Sequence, residues 1–157
     1  MNPRHGRRCA PAVGFGFVNR LTWGSSTFVQ ASTDLEQLTD FFGRYGSALT
    51  SGDVAGVANC HALPGMVVAD TYSFTFASPA AVALSFLGAA PTYRDQHIVA
   101  AHAQILNVHW ISDVLSMVSV EWEYLDSTGN SVPGGRYRYL LRVGADGPHI
   151  TTVISTR

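Results

Sequence analysis

The stretch DLEQLTDFFGRYGSALTSGD, Asp34 to Asp53, decides the fold. Leu35, Leu38, Phe42, Tyr45 and Leu49 follow one another at spacings of 3, 4, 3 and 4. That is one face of an amphipathic helix. Thr33 with Glu36 forms a capping box, and Asp34 and Glu36 suit the positive end of the helix dipole. Gly52 stops the helix where a left-handed residue is wanted, and Asp53 caps the next one. Tyr45 on the buried stripe turns its ring into the core. A buried hydroxyl without a partner costs about 1–3 kcal/mol, so Tyr45 is either a satisfied core residue or the floor of a pocket.

Working outward, Val54 to about Leu63 reads as a short second helix ended by Pro64-Gly65. Met66-Val67-Val68-Ala69 reads as a short strand that delivers Asp70, and Thr71–Phe76 alternates polar and aromatic residues as a second strand. Ser78-Pro79 opens a third helix, which Pro91 closes after Ala90. The rest is rich in β-branched and aromatic residues. His97–Ile111, Val114–Leu125, Gly135–Val143 and His149–Ser155 read as long antiparallel strands joined by polar turns. On the second of these, Val118, Val120, Trp122 and Tyr124 share one face; Met117, Ser119, Glu121 and Glu123 share the other. The expected architecture is α+β: three N-terminal helices packed on a curved, mostly antiparallel sheet.

Length and composition narrow the function. The 157 residues suit one domain, with 46% hydrophobic and 13% charged residues. All ten basic residues are Arg. Four of them precede Asp34, so residues 35–157 hold six Arg against ten acids. An acidic body argues against nucleic-acid binding, which needs a basic face. No apolar run approaches the ~20 residues of a membrane span. Cys9 and Cys60 are too few for a disulfide framework and read as reduced thiols of a cytoplasmic protein. Arg7-Arg8 ahead of residues 9–18 outlines a signal peptide faintly, but Pro and Gly break the apolar part and no cleavage site follows. Residues 1–32 are therefore expected to be an N-terminal extension, disordered or loosely docked, and residues 33–157 the single domain.

The order of elements resembles the cone-shaped NTF2-like (SnoaL-like) superfamily over about residues 34–156. The segment Arg44-Tyr45-Gly46-Ser47-Ala48-Leu49-Thr50-Ser51-Gly52-Asp53 is similar to the first helix and turn of its ketosteroid isomerase-type members. In those a tyrosine eight residues before the turn Asp donates a hydrogen bond to a substrate oxyanion. The resemblance implies that role for Tyr45, and that of general base for Asp70. It places Tyr139 where those isomerases carry a protonated aspartic acid on a late strand; no Asp or Glu stands between Asp126 and Asp146. The same helix and turn also occur in members without catalysis.

From the residues themselves, Asp70 is either a cavity carboxylate with a raised pKa or a solvent-facing turn residue. Trp122, Phe74 and Phe86 read as apolar cavity wall, and His102 as facing inward, opposite His97 and His109 on a regular strand. A bulge would swap those faces. His61 reads as the end of the second helix, suited to its negative dipole end. No ligand set for a metal is complete, and no motif asks for a cofactor. Glu121 and Glu123 fall on the outer face with Arg136, Arg138 and Arg142 within reach. The expected function is a small-molecule pocket protein. One form is an isomerase or lyase in which Asp70 and Tyr45 act on an apolar carbonyl substrate. The alternative is a non-catalytic ligand-binding or dimeric interaction module, with a homodimer formed through the sheet face.

Overall fold

The computed structural model describes residues 26–156. The basic stretch with Cys9 lies outside the described residues. Nine elements follow in order: α1 (Ser26–Ser51), α2 (Val54–Asn59), β1 (His61–Val68), β2 (Ser73–Phe76), α3 (Pro79–Asp95), β3 (Ile98–Ser112), β4 (Leu115–Asp126), β5 (Ser131–Gly144) and β6 (Gly147–Thr156). The six strands form one curved sheet in the order β2-β1-β6-β5-β4-β3. Every neighbouring pair is antiparallel except β1 and β6. Register shifts at Ile105/Asn107, Trp122/Glu123 and Leu140/Leu141 mark bulges that bend the strands. This is the expected α+β cone.

The helical stripe read from the sequence packs as its spacing requires. Leu38, Phe42 and Tyr45 are buried, with Phe41 and Ala48 beside them. Leu35 stays exposed at the rim. The stripe rests on Val118, Val120, Trp122 and Tyr124 of β4, Tyr139 and Leu141 of β5 and Ile150 of β6. Contact is closest at Gly46. A Cβ there would lie 2.8 Å from Trp122 Cζ3 and 3.0 Å from the Ala101 carbonyl oxygen. Gly43, one turn earlier, has nothing within 4 Å.

Several boundaries differ from the sequence expectation. Helix α1 begins at Ser26, not at the Thr33 capping box, so residues 26–32, expected within the N-terminal extension, are helical. Helix α2 ends at Asn59, four residues before Leu63. There the Cys60 carbonyl accepts a hydrogen bond from the Ile150 amide of β6 at 2.8 Å, and His61 opens β1. Pairing with the sheet overrides local helix propensity at this point. Helix α3 runs past Pro91 to Asp95. Its last turn is anchored by Tyr93, whose ring meets Tyr124 edge-on with centroids 5.4 Å apart. His97 then turns left-handed (φ 54°) ahead of β3 instead of starting the strand.

Candidate functional site

The cone encloses a cavity of about 220 Å³. Its described lining includes Tyr45 from α1, His61 and Val67 from β1, Phe74 from β2 and Phe86 and Tyr93 from α3. Trp122 and Tyr124 from β4, Tyr137 and Tyr139 from β5, and Tyr72 complete the ring of aromatic groups. The chain has six tyrosines, and all six border this one cavity. Among the described lining residues none is Asp, Glu or Arg.

Tyr45 is the floor. Its ring lies edge-on to His61 at 5.9 Å, to Tyr139 at 6.2 Å and to Phe86 at 6.4 Å between centroids. No described residue hydrogen-bonds its hydroxyl, and burial pushes its pKa well above 10.0, so the group stays a protonated donor. Tyr139 and Trp122 form a fixed pair: the indole Nε1–H donates to the Tyr139 hydroxyl oxygen at 2.8 Å, fully inside the protein. With that lone pair engaged, the Tyr139 proton is left to point elsewhere. The Tyr93 and Tyr124 hydroxyls pair at 3.3 Å. At the mouth, half-exposed Phe74 stacks on exposed Tyr72.

His61 is the residue sequence reasoning misplaced. It is 5% exposed, and neither ring nitrogen has a hydrogen-bond partner among the described residues. Its ring sits between Phe76 (5.1 Å), Tyr45 (5.9 Å) and Phe86 (6.1 Å). Burial lowers its pKa to about 4, so it is neutral at pH 7 with one donor and one acceptor nitrogen. It does not cap a helix: α2 has already ended, and the β1 backbone carries the ring into the cone.

Two expected site residues lie elsewhere. The Ala69 amide donates to the Tyr72 carbonyl at 2.8 Å, closing a tight turn. Asp70 occupies the exposed corner of that turn and is not part of the described lining. This is the solvent-facing alternative for Asp70. His102 faces outward. Its β4 partner is Glu123, while Ala101 and Ala103 pair with the inward Tyr124 and Trp122. The shift between Ile105 and Asn107 then puts His109 on the same outer face as His102, where a regular strand would separate them. On that face Arg136 Nε donates to Glu121 Oε1 at 2.9 Å. Five expected pocket residues do meet in one place: Tyr45, Tyr139, Trp122, Phe86 and Phe74. The signal that was available for the rest was the tyrosine set itself, since Tyr124, Tyr137 and Tyr139 share the inward parity of Trp122.

Among the described residues no group of three or more His, Cys, Asp or Glu side chains is placed to hold a metal ion. No described helix is long and apolar enough to cross a membrane.

Comparison with known proteins agrees with the cone. A solved structure of a variant of Rv3472, a protein of unknown function from Mycobacterium tuberculosis, superposes with a TM-score of 0.66 at 12% identity, covering 85% of this chain and 77% of that one. An NTF2-like protein with a cystatin-like fold from Novosphingobium aromaticivorans gives 0.61 at 16% identity, covering 82% and 84%. An NTF-2-like protein of unknown function from Shewanella oneidensis gives 0.60 at 14%, covering 78% and 98%. At these identities the likeness speaks to fold alone. No curated protein matches the sequence. The profile of a family described as NTF2-like protein (DUF6841) matches residues 35–157, and the chain belongs to that family.

Proposed function

We propose that the chain is a small-molecule-binding protein whose ligand occupies the cone cavity, held by His61 and Tyr45. One observation carries this reading: His61 is buried at the cavity with both ring nitrogens unpartnered among the described residues. An orphaned buried polar group costs about 1–3 kcal/mol. At a cavity wall, as His61 is and Ser116 is not, a bound molecule can offset that cost. Binding is favoured over proton abstraction. A general base works best with a pKa near the operating pH, whereas His61 sits at about 4, and no described lining residue is a carboxylate. The isomerase or lyase reading, with Asp70 as base and Tyr45 as donor, needs Asp70 to swing from its exposed turn to the mouth of the cone. A dimeric interaction module is the other reading; the exposed Val99, Leu106 and Ile111 on β3 favour it.

Because every tyrosine borders the cavity, tyrosine labelling alone maps the site. Protein carrying 13C-tyrosine is titrated with 2-naphthol and, separately, with 2-naphthoate. Saturable shifts of the Tyr45 and Tyr139 signals with either probe support the pocket. Shifts with neither of these nor with smaller single-ring phenols, at millimolar probe, overturn it. Deuterium exchange into the methyl group of 4-hydroxyacetophenone separates the chemistries. Exchange that survives His61→Phe and is lost in Asp70→Asn would establish the isomerase-like reading instead.

A further inference from the structure

The geometry points to a narrower ligand class, and this inference rests on the pocket reading above. We propose that the cavity selects an uncharged one-ring or small two-ring aromatic molecule that carries both a hydrogen-bond acceptor and a donor. Three independent observations lead there.

Volume sets the size. An apolar cavity of about 150 Å³ takes benzene, and the one here is about 220 Å³. Scaling from benzene leaves space for about nine or ten non-hydrogen atoms. That accommodates a substituted single ring and excludes a four-ring skeleton.

Lining sets the charge. Among the described lining residues no Arg, Asp or Glu offers a counter-charge. Moving an ion into such a place without a partner costs several kcal/mol. The protein's own groups report the same environment from both sides. Burial opposes phenolate formation at Tyr45, Tyr137 and Tyr139 and imidazolium formation at His61. A potential of one sign would favour one of these charged forms. Opposition to both is the mark of desolvation, and it acts equally on a ligand carboxylate or ammonium.

Polar geometry sets the functional groups. Tyr45 offers an O–H with no described acceptor, and Tyr139 offers one whose oxygen is already engaged by Trp122. These suit a ligand carbonyl or hydroxyl oxygen. Neutral His61 carries one N–H and one bare nitrogen, both closed to water in the structure, and the bare nitrogen takes a ligand O–H or N–H once the ring turns toward it. A half-turn about the Cβ–Cγ bond exchanges ring nitrogens with ring carbons, so a ligand can draw either edge of the imidazole toward it. The aromatic walls, with Tyr45, Phe86 and Trp122 set edge-on or tilted to one another, suit a flat ring between them.

The test uses near-isosteric probes that differ in charge. The 13C-tyrosine-labelled full chain is titrated at pH 7 with 4-hydroxyacetophenone and 4-hydroxybenzamide, which are neutral. The same titration is run with 4-hydroxybenzoate, an anion, and 4-hydroxybenzylamine, a cation. The neutral probes are expected to bind at least tenfold more tightly than either ion, and His61→Phe to weaken them at least tenfold while leaving the unliganded tyrosine spectrum folded. Equal or tighter binding of an ion at the same tyrosines overturns the ligand class and leaves the pocket standing. Neutral binding that His61→Phe does not weaken also overturns it, because the donor-acceptor requirement then fails. Absence of tyrosine shifts with all four probes and with both naphthalene probes removes the pocket and this inference together.

Discussion

His61→Phe is expected to remove a specific part of the acid sensitivity of folding. In the folded chain burial lowers the His61 pKa to about 4. In the unfolded chain the same imidazole titrates near the ordinary value of about 6.5. Between those two values the unfolded state holds a proton that the folded state does not, so stability falls as pH falls. Above about 6.5 neither state is protonated and the residue contributes no slope. At about 1.4 kcal/mol per pH unit, the loss accumulated by pH 4.5 is about 2–3 kcal/mol. A carboxyl is also clearly displaced: the Thr128 hydroxyl and the Asn130 amide hold Asp126 down to about 2. Its effect falls below the His61 window. Urea unfolding at pH 7.5 and pH 4.5, on wild type and His61→Phe, reads the difference directly. With a urea slope of about 1–3 kcal/mol per molar, the wild-type midpoint should drop roughly 1–2 M further than that of the variant. At pH 7.5 the variant should be at least as stable as wild type, because two orphaned nitrogens are gone and the cavity has space for the larger ring. Equal midpoint shifts in the two proteins would show that His61 is not buried neutral, and the cavity chemistry argued above would go with it.

Two glycines one turn apart in α1 should respond oppositely to alanine. Gly43→Ala meets nothing within 4 Å and should stabilise by about 0.5–1 kcal/mol through helix propensity. Gly46→Ala drives a methyl toward the Ala101 carbonyl and Trp122, so it should cost about 1–3 kcal/mol despite the same propensity gain; thermal unfolding compares the two. Ser116 is fully buried, and its hydroxyl has no partner among the described residues. Ser116→Ala should therefore raise stability by about 1 kcal/mol, seen as a midpoint rise of a few degrees. Asp70→Asn, at an exposed turn corner, should stay within about 0.5 kcal/mol of wild type and leave the tyrosine spectrum and probe affinity unchanged. A loss of probe affinity in that variant would bring Asp70 back into the site.

Much of the fold was legible because its signals are periodic and mutually consistent. The 3-4-3-4 stripe of α1 and the inward Val118, Val120, Trp122 and Tyr124 of β4 each specify a buried face, and the structure packs those faces on each other. Errors collected where tertiary contacts outweigh local preference. Helix α3 passes Pro91, and Tyr93 in its last turn packs on Tyr124. The face of His109 depends on one bulge that no residue pattern announces.

The candidate site was legible in its walls and not in its polar centre, and one misplaced helix end accounts for that. With α2 carried to Leu63, His61 becomes a helix-terminal residue whose ring has a ready explanation. End the helix at Asn59, and His61 opens β1 in the same strand as Val67, with a register shift against β6 between His61 and Met66. Val67 lines the cavity, and so does His61. Asp70 lies past the end of β1 at Val68, at the exposed corner of the turn to β2. The hydrogen bond from Ile150 to the Cys60 carbonyl, a contact about 90 residues away in sequence, marks where the helix gives way to β1. A choice between a carboxylate site and an imidazole site thus turned on four residues of helix. Local propensity left that helix end open, and the pairing of β1 with β6 decides it.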